Sequence, residues 1–365
     1  MQTIDNLTDN LADCRYCSQV SKANGEDPIG SAPQVDYWLI VEIPQPWPTA
    51  MFTEHPIISQ IFPLIKKLIF RRGVMVRPIA IAPDPEYSVP NFIRILYYQR
   101  PARQFAKYTK EEYLVPEEKA IDVALGLLHR LLGKQNPIAS FDAYKQDTQH
   151  IREILVCTHT QVDLACGRFG TPIYRELRKR YGHSTLRVWQ STHFGGHKFA
   201  PTLIDLPNGQ FWGHLESDML SQLVQRSGDH RRLAKFYRGW AGVSQYEKMA
   251  ERAAWQEEGW DWFDYLRTAK TTDKGVRGFK RFAYQILRLI PIKVLQLWLE
   301  QWTNQATWVN MTVSYDTPSN RGTYKITVKD SGEIISANRS ATETSQPIEL
   351  QPVRQYQVTR LTKLT

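Results

Sequence analysis

Apolar residues switch between two periods along this chain, and the switches outline a mixed α/β protein. Tyr37-Trp38-Leu39-Ile40-Val41 is an unbroken apolar run stopped by Pro44 and Pro46, and it reads as a buried strand. Over residues 56–70 apolar positions return at helical spacing, at Ile58, Ile61, Leu64, Ile65 and Leu68. Residues 74–82 and 92–98 read as strands. Residues 117–132 read as a helix, with Pro116 at its first position.

A similar order then recurs. Residues 151–158 read as a strand. Residues 172–181 read as a helix with Thr171 as N-cap, Pro172 at the first position and Gly182 just past the end. Residues 186–190 and 202–206 read as strands. Pro207-Asn208-Gly209 makes a turn, 210–213 continues a hairpin, and 216–224 closes with a helix. Strand, helix, strand, hairpin, helix fits a thioredoxin-like layer. The two halves read as divergent copies of one unit, although no residue-level repeat links them.

Residues 228–302 read as helical, with Trp255, Trp260 and Trp262 as packing anchors rather than a ligand platform. Beyond Trp308 the period changes. Residues 309–313 and 324–328 alternate around a turn at 318–322, and 354–360 offers a further strand. Residues 336–347 are polar and read as loose. The expected fold class is α/β with a mixed sheet (α+β), in three parts. An N-terminal α/β half spans 1–140, a thioredoxin-like domain 141–228, and a helical then β-hairpin extension 229–365.

Composition narrows the function only a little. The chain has 365 residues, 42% hydrophobic and 23% charged, as ordinary soluble domains do. Its 46 lysines and arginines against 37 acids give a formal charge of +9, but the basic residues are scattered, so nucleic acid is not the expected partner. Residues 279–302 are apolar-rich, yet Arg288, Pro291, Lys293 and Glu300 interrupt them, which excludes a transmembrane segment. They read as two amphipathic helices joined at Ile290-Pro291, with an interfacial helix as the lesser alternative. The first residues lack a basic flank followed by an apolar run, so no signal peptide is expected, and the cytoplasm is the expected compartment.

The candidate chemistry lies in four residues. Cys157 and Cys166 stand as C-x8-C. His193 and His197 follow as H-x3-H within His193-Phe194-Gly195-Gly196-His197. Two sulfurs and two imidazoles suit a zinc ion or a two-iron cluster. The cysteine gap is wider than a zinc-finger knuckle, which tilts the reading towards iron and sulfur. Cys157 falls at a strand end and Cys166 in a loop ahead of the helix, where the dipole favours a thiolate. His159 competes as a ligand. Cys14 and Cys17 form a lone C-x2-C ahead of the first strand, a weak dithiol or zinc signal.

Val156-Cys157-Thr158-His159, the stretch from Ala165 through Cys166 to Tyr174, and Trp189 through Ala200 resemble the sucrase/ferredoxin-like family. Cys17-Ser18, the stretch from Asn24 to Gly30, Arg238-Gly239 and Ala250-Glu251 are also similar to it, so the resemblance spans roughly residues 12–255. It implies a thioredoxin-like [2Fe–2S] ferredoxin whose cluster is held by Cys157, Cys166, His193 and His197. Two thiolates neutralise an oxidised core that four would leave at −2, so histidine ligation raises the potential, as Rieske centres show (about −150 to +300 mV against about −400 mV). A ligated imidazole keeps a second nitrogen that exchanges a proton. The implied function is one-electron, proton-coupled transfer to a redox partner, an electron carrier more than a stand-alone enzyme. Arg168, Arg175, Lys179, Arg180 and Lys198 form a basic rim for an acidic partner. The alternatives are a zinc-stapled interaction module without redox function and, more weakly, a thiol–disulfide enzyme. No carboxylate pair for glycoside hydrolysis stands out in the sequence.

Overall fold

The computed structural model describes residues 15–133, 138–276, 279–342 and 347–364. Helix α1 (Cys17–Ala23) precedes strand β1 (Tyr37–Glu42), which is buried along nearly its whole length. Helix α2 (Pro56–Arg72) starts at His55, whose ring accepts from the Ile57 N–H, and stops at Gly73 in the left-handed region (φ 62°). It buries Ile58, Ile61, Ile65 and Leu68, the stripe expected from the sequence. β2 (Val76–Ile81) runs parallel to β1, while β3 (Phe92–Gln99) and β4 (Thr109–Pro116) follow antiparallel, and α3 (Ala120–Arg130) closes the half.

The second half repeats this plan. β6 (Arg152–Cys157) lies parallel to β7 (Leu186–Ser191) across helix α4 (Leu164–Tyr181). β8 (Leu203–Leu206) and β9 (Gln210–Trp212) add antiparallel strands before α5 (Leu220–Gln225). With β5 (Lys145–Gln146) and β10 (Tyr237–Trp240), all ten strands form one sheet in the order β10-β9-β8-β6-β7-β2-β1-β3-β4-β5. The halves meet edge to edge where β2 pairs β7 through Ile81 and Ser191. A four-stranded antiparallel sheet follows: β11 (Leu266–Lys274), β12 (Trp308–Asp316), β13 (Arg321–Ala337) and β14 (Leu350–Leu364). Helix α6 (Gln245–Glu258) packs on it, capped by a reciprocal Ser244/Glu247 box. Helices α7 (Phe279–Leu287) and α8 (Lys293–Trp302) fall where two amphipathic helices were expected, and among the described residues no helix is long and apolar enough to cross a membrane.

The structure corrects four expectations. β4 was missed: Pro116 ends a strand rather than opening a helix, and a 3-10 turn (Glu117–Lys119) leads into α3. Residues 228–302 are not all helical, because they contain β10 and β11. α4 begins eight residues before Pro172, which lies inside it. Finally, Ser336 and Ser340 of the polar tract are buried; its residues 343–346 lie outside the described residues.

α4 can lie against β6 only because Gly170 has no side chain. A Cβ there would stand 2.0 Å from the Cys157 carbonyl oxygen. Alanine in a helix ordinarily gains about 1 kcal/mol over glycine. Gly170→Ala should instead destabilise the fold by about 1–3 kcal/mol, read as a lower urea midpoint, and an unchanged or raised midpoint would refute the close packing.

Candidate metal centre

Three elements converge at the C-terminal end of β6. Cys157 is its last residue, Cys166 lies in the first turn of α4, and His193 and His197 sit in the loop after β7. The sequence placed Cys166 in a loop, but Asp163 caps the helix at 164 by accepting from the Ala165 N–H (2.9 Å). Cys166 is therefore fixed on rigid backbone at the positive end of an 18-residue helix. The Sγ atoms of Cys157 and Cys166 each lie 3.6 Å from His193 Nδ1, and both thiols are buried. The donor atoms of these three residues lie within 4.8 Å of one another.

His159 is not a competing ligand here. Its Nε2 lies 3.2 Å from the Trp47 carbonyl oxygen, and its Nδ1 accepts from the His193 backbone N–H (3.4 Å). One tautomer satisfies both contacts: a proton on Nε2 and a lone pair on Nδ1. His159 thus holds the backbone of His193.

The electrostatics favour a thiolate at Cys157. Burial opposes ionisation of Cys157, but the Cys166 thiol and the His193 ring outweigh it and push its pKa down. The Cys157 sulfur, followed by burial, pushes Cys166 up. Arg238 is fully buried behind them, and burial, with Arg77 adding, lowers its pKa to about 9. It still carries its charge at neutral pH, and the charged groups acting on it are Arg77 and the two cysteines, with no carboxylate among them. Arg238 donates to the Gly195 carbonyl (2.9 Å) and to the hydroxyl and carbonyl oxygens of Ser31 (3.0 and 3.1 Å). Gly196 is required beside it, since its φ is 85° and a Cβ would stand 2.1 Å from the guanidinium.

His197 faces a different group. Its Nδ1 is 3.2 Å from Asp163 Oδ2 and 3.5 Å from Cys17 Sγ, and its ring centroid lies 5.3 Å from that of His193. A proton shared with Asp163 on Nδ1 leaves Nε2 as the nitrogen with a lone pair. Ser340 completes the group, donating through its backbone N–H (3.0 Å) and hydroxyl (2.6 Å) to Asp163, while Cys17 N–H donates to the Ser340 hydroxyl (3.2 Å). Burial first and Asp163 second push the Cys17 pKa up to about 12, so this sulfur stays a thiol. Cys14 lies outside the described residues, so the C-x2-C reading has one placed member.

Residues 28–239 match the sucrase/ferredoxin-like family. The chain belongs to that family. It is also similar to altered inheritance of mitochondria protein 32 of Clavispora lusitaniae, 27% identical over 121 residues, covering 28% of this chain. The match spans 44% of that relative, less than half its length. No solved structure matches the chain.

All four sequence-selected residues lie within the family match, as do Asp163 and Arg238; Cys17 and Ser340 lie outside it. Asp163 was missed although an acid three residues before Cys166 is a helix-start signal, because Pro172 offered a competing start. Ser340 carried no signal in the sequence. Ion pairs engage part of the expected basic rim. Lys198 pairs with Glu26 and Arg180 with Glu176, leaving Arg168, Arg175 and Lys179 exposed along one face of α4.

Burial opposes the charge on Asp163, but hydrogen bonds from His197, Ser340 and Ala165 outweigh it and hold its pKa well below the usual range. Its contribution is complete above the unfolded value of about 3.9 and is lost as pH falls through the depressed folded value. Asp163→Ala should cost about 2 kcal/mol or more at neutral pH. In urea titrations this gap should shrink below about pH 4; a gap that stays constant down to about pH 3 would show that the charge is not what stabilises.

Proposed function

We propose that this protein is a one-electron carrier whose centre is a [2Fe–2S] cluster held by Cys157, Cys166, His193 and His197. The observation that carries the reading is the pair of buried cysteine sulfurs 3.6 Å from His193 Nδ1, beside a buried Arg238 that has no carboxylate partner among the described residues. Two sulfurs and two imidazoles are a donor set such clusters accept. Membership of the sucrase/ferredoxin-like family supports it.

A bound cluster would supply reversible one-electron exchange. The chain's own residues do the rest. Cys157 and Cys166, fixed on β6 and α4, hold sulfur donors where water is excluded. His159 sets the backbone of His193, and Asp163 sets the Nδ1 proton of His197. Arg238 and Arg77 add positive charge, which favours the electron-rich state. The exposed row of Arg168, Arg175 and Lys179 suits an acidic docking surface on a redox partner. The zinc alternative has one observation in its favour: the compact Cys157, Cys166 and His193 trio suits a single tetrahedral ion.

Metal content separates the two. Protein purified without oxygen should be red-brown, with about two iron and two sulfide per chain. A colourless protein with one zinc would overturn the carrier. Alanine at His193 or His197 should alter the visible and low-temperature EPR spectra; unchanged spectra would remove the histidines from the ligand set. The potential should fall with rising pH, by at most about 59 mV per unit for one proton per electron, and a flat profile would exclude proton coupling.

Arg238 gives an independent reading of the electrostatics. Arg238→Gln should lower the potential by tens of millivolts or more. A potential that does not move would mean that this buried charge is screened from the centre.

A further inference from the structure

Seven of the thirteen large apolar side chains exposed among the described residues lie in one region, formed by α7, α8 and the C-terminal end of α2. Phe282 (66% exposed), Ile286 and Leu289 (76%) follow one another at helical spacing at the end of α7, and Ile292 and Trp298 (48%) continue the patch onto α8. α8 packs on α2: a Cβ at Gly73 would lie 3.0 Å from Val294 N, and Phe70 and Trp298 line the same cleft of about 550 Å³. Phe70 is 73% exposed, a cost in water unless something covers it.

The charge on the elements that carry the patch is mostly of one sign, although Lys293 of α8 pairs with Asp36 (2.8 Å) and Gln285 of α7 donates to Asp273 (3.1 Å). Residues 56–75 contain no acid, and Lys66, Lys67, Arg71 and Arg72 of α2 are all exposed. In residues 282–302 the single acid is Glu300, which is partly buried and lines the cleft. A second copy of this chain meeting the patch about a two-fold axis would set basic groups against basic groups. An anionic bilayer surface complements both properties, since acyl chains take the apolar side chains and head-groups take the lysines and arginines. Helices of 9 and 10 residues are about 15 Å long, half a hydrocarbon core, so they lie in the interface rather than cross it.

We propose that α7, α8 and the basic end of α2 form a docking surface for anionic phospholipid membranes. This surface does not include the metal centre; α7 and α8 lie outside residues 28–239, and α2 lies within them. At the other end of α2, Ile58 shares a pocket with His159 and His193. A 17-residue helix spans about 25 Å, so docking leaves the candidate centre at the far end of α2 from the lipid.

The test is co-sedimentation of the full chain with vesicles of phosphatidylcholine alone or with about one third phosphatidylglycerol. Binding should be at least about tenfold tighter to the anionic vesicles and should weaken in about 0.5 M salt. Leu289→Asp and the double change Lys67→Glu/Arg71→Glu should each abolish it, while leaving circular dichroism and metal content unchanged. No sedimentation with either vesicle overturns the proposal. So does equal binding to both compositions, retention of binding in both variants, or a dimer in solution that Leu289→Asp dissociates, which would make the occupant a second copy.

Discussion

The arrangement around the candidate centre depends on one buried carboxylate. Asp163 caps the helix that carries Cys166, meets the ring of His197 and accepts two hydrogen bonds from Ser340. Three stretches distant in sequence are thereby tied to two oxygen atoms. A buried charge is tolerated only when its lone pairs are occupied, and the donors here come from a helix terminus, the loop after β7 and Ser340, which supplies two. Fixing the carboxylate fixes the helix start, and the helix start fixes Cys166. The sheet supplies Cys157 independently, through β6. The distance between the two sulfurs is therefore set by how closely α4 approaches β6, which Gly170 permits.

Buried charge also holds the two halves of the sheet together. The edge pairing of β2 with β7 involves Ile81 and Ser191 and is too short to do so alone. Behind it, Lys110 and Glu112 of β4 meet Glu153 of β6 and Arg187 of β7, and Arg94 of β3 also reaches Glu112. Lys110 Nζ lies 2.8 Å from Glu153 Oε1, and Trp189 donates to the other Glu153 oxygen (2.6 Å). Removing one member would strand the others without water, so the network specifies how the halves dock more than it adds to stability.

This network explains which parts of the fold were legible in the sequence. The strands read correctly were apolar runs, such as β1 and β6, or alternating segments, such as β12 and β13, and α2 was legible from its clean apolar stripe. β4 was missed because its Lys110 and Glu112 look like surface residues, and their burial depends on Arg187 and Glu153 far along the chain. The start of α4 was misplaced because Pro172 is a stronger local signal than a single capping aspartate. The cysteines and histidines were legible from residue type and spacing, and three of the four come together directly. The alliance of His197 with Asp163, and the guanidinium behind the cysteines, depend on tertiary contacts that no local pattern encodes.

The polar tract from Ser336 was read as loose, yet it bears on the centre from two sides. Ser340 reaches Asp163, which meets His197. Ser336 donates to Glu26 (2.5 Å), which pairs with Lys198, the next residue along. The same loop is thus held at adjacent residues by two relays, one beginning at Ser336 near the end of β13 and one at Ser340 just after it. A loop containing Gly195 and Gly196 at positive φ has many conformations available when unfolded, and such contacts reduce that freedom. The family match stops at residue 239, but the wall of the candidate centre does not. In this chain the outer sheet is part of what makes the histidine loop a fixed site.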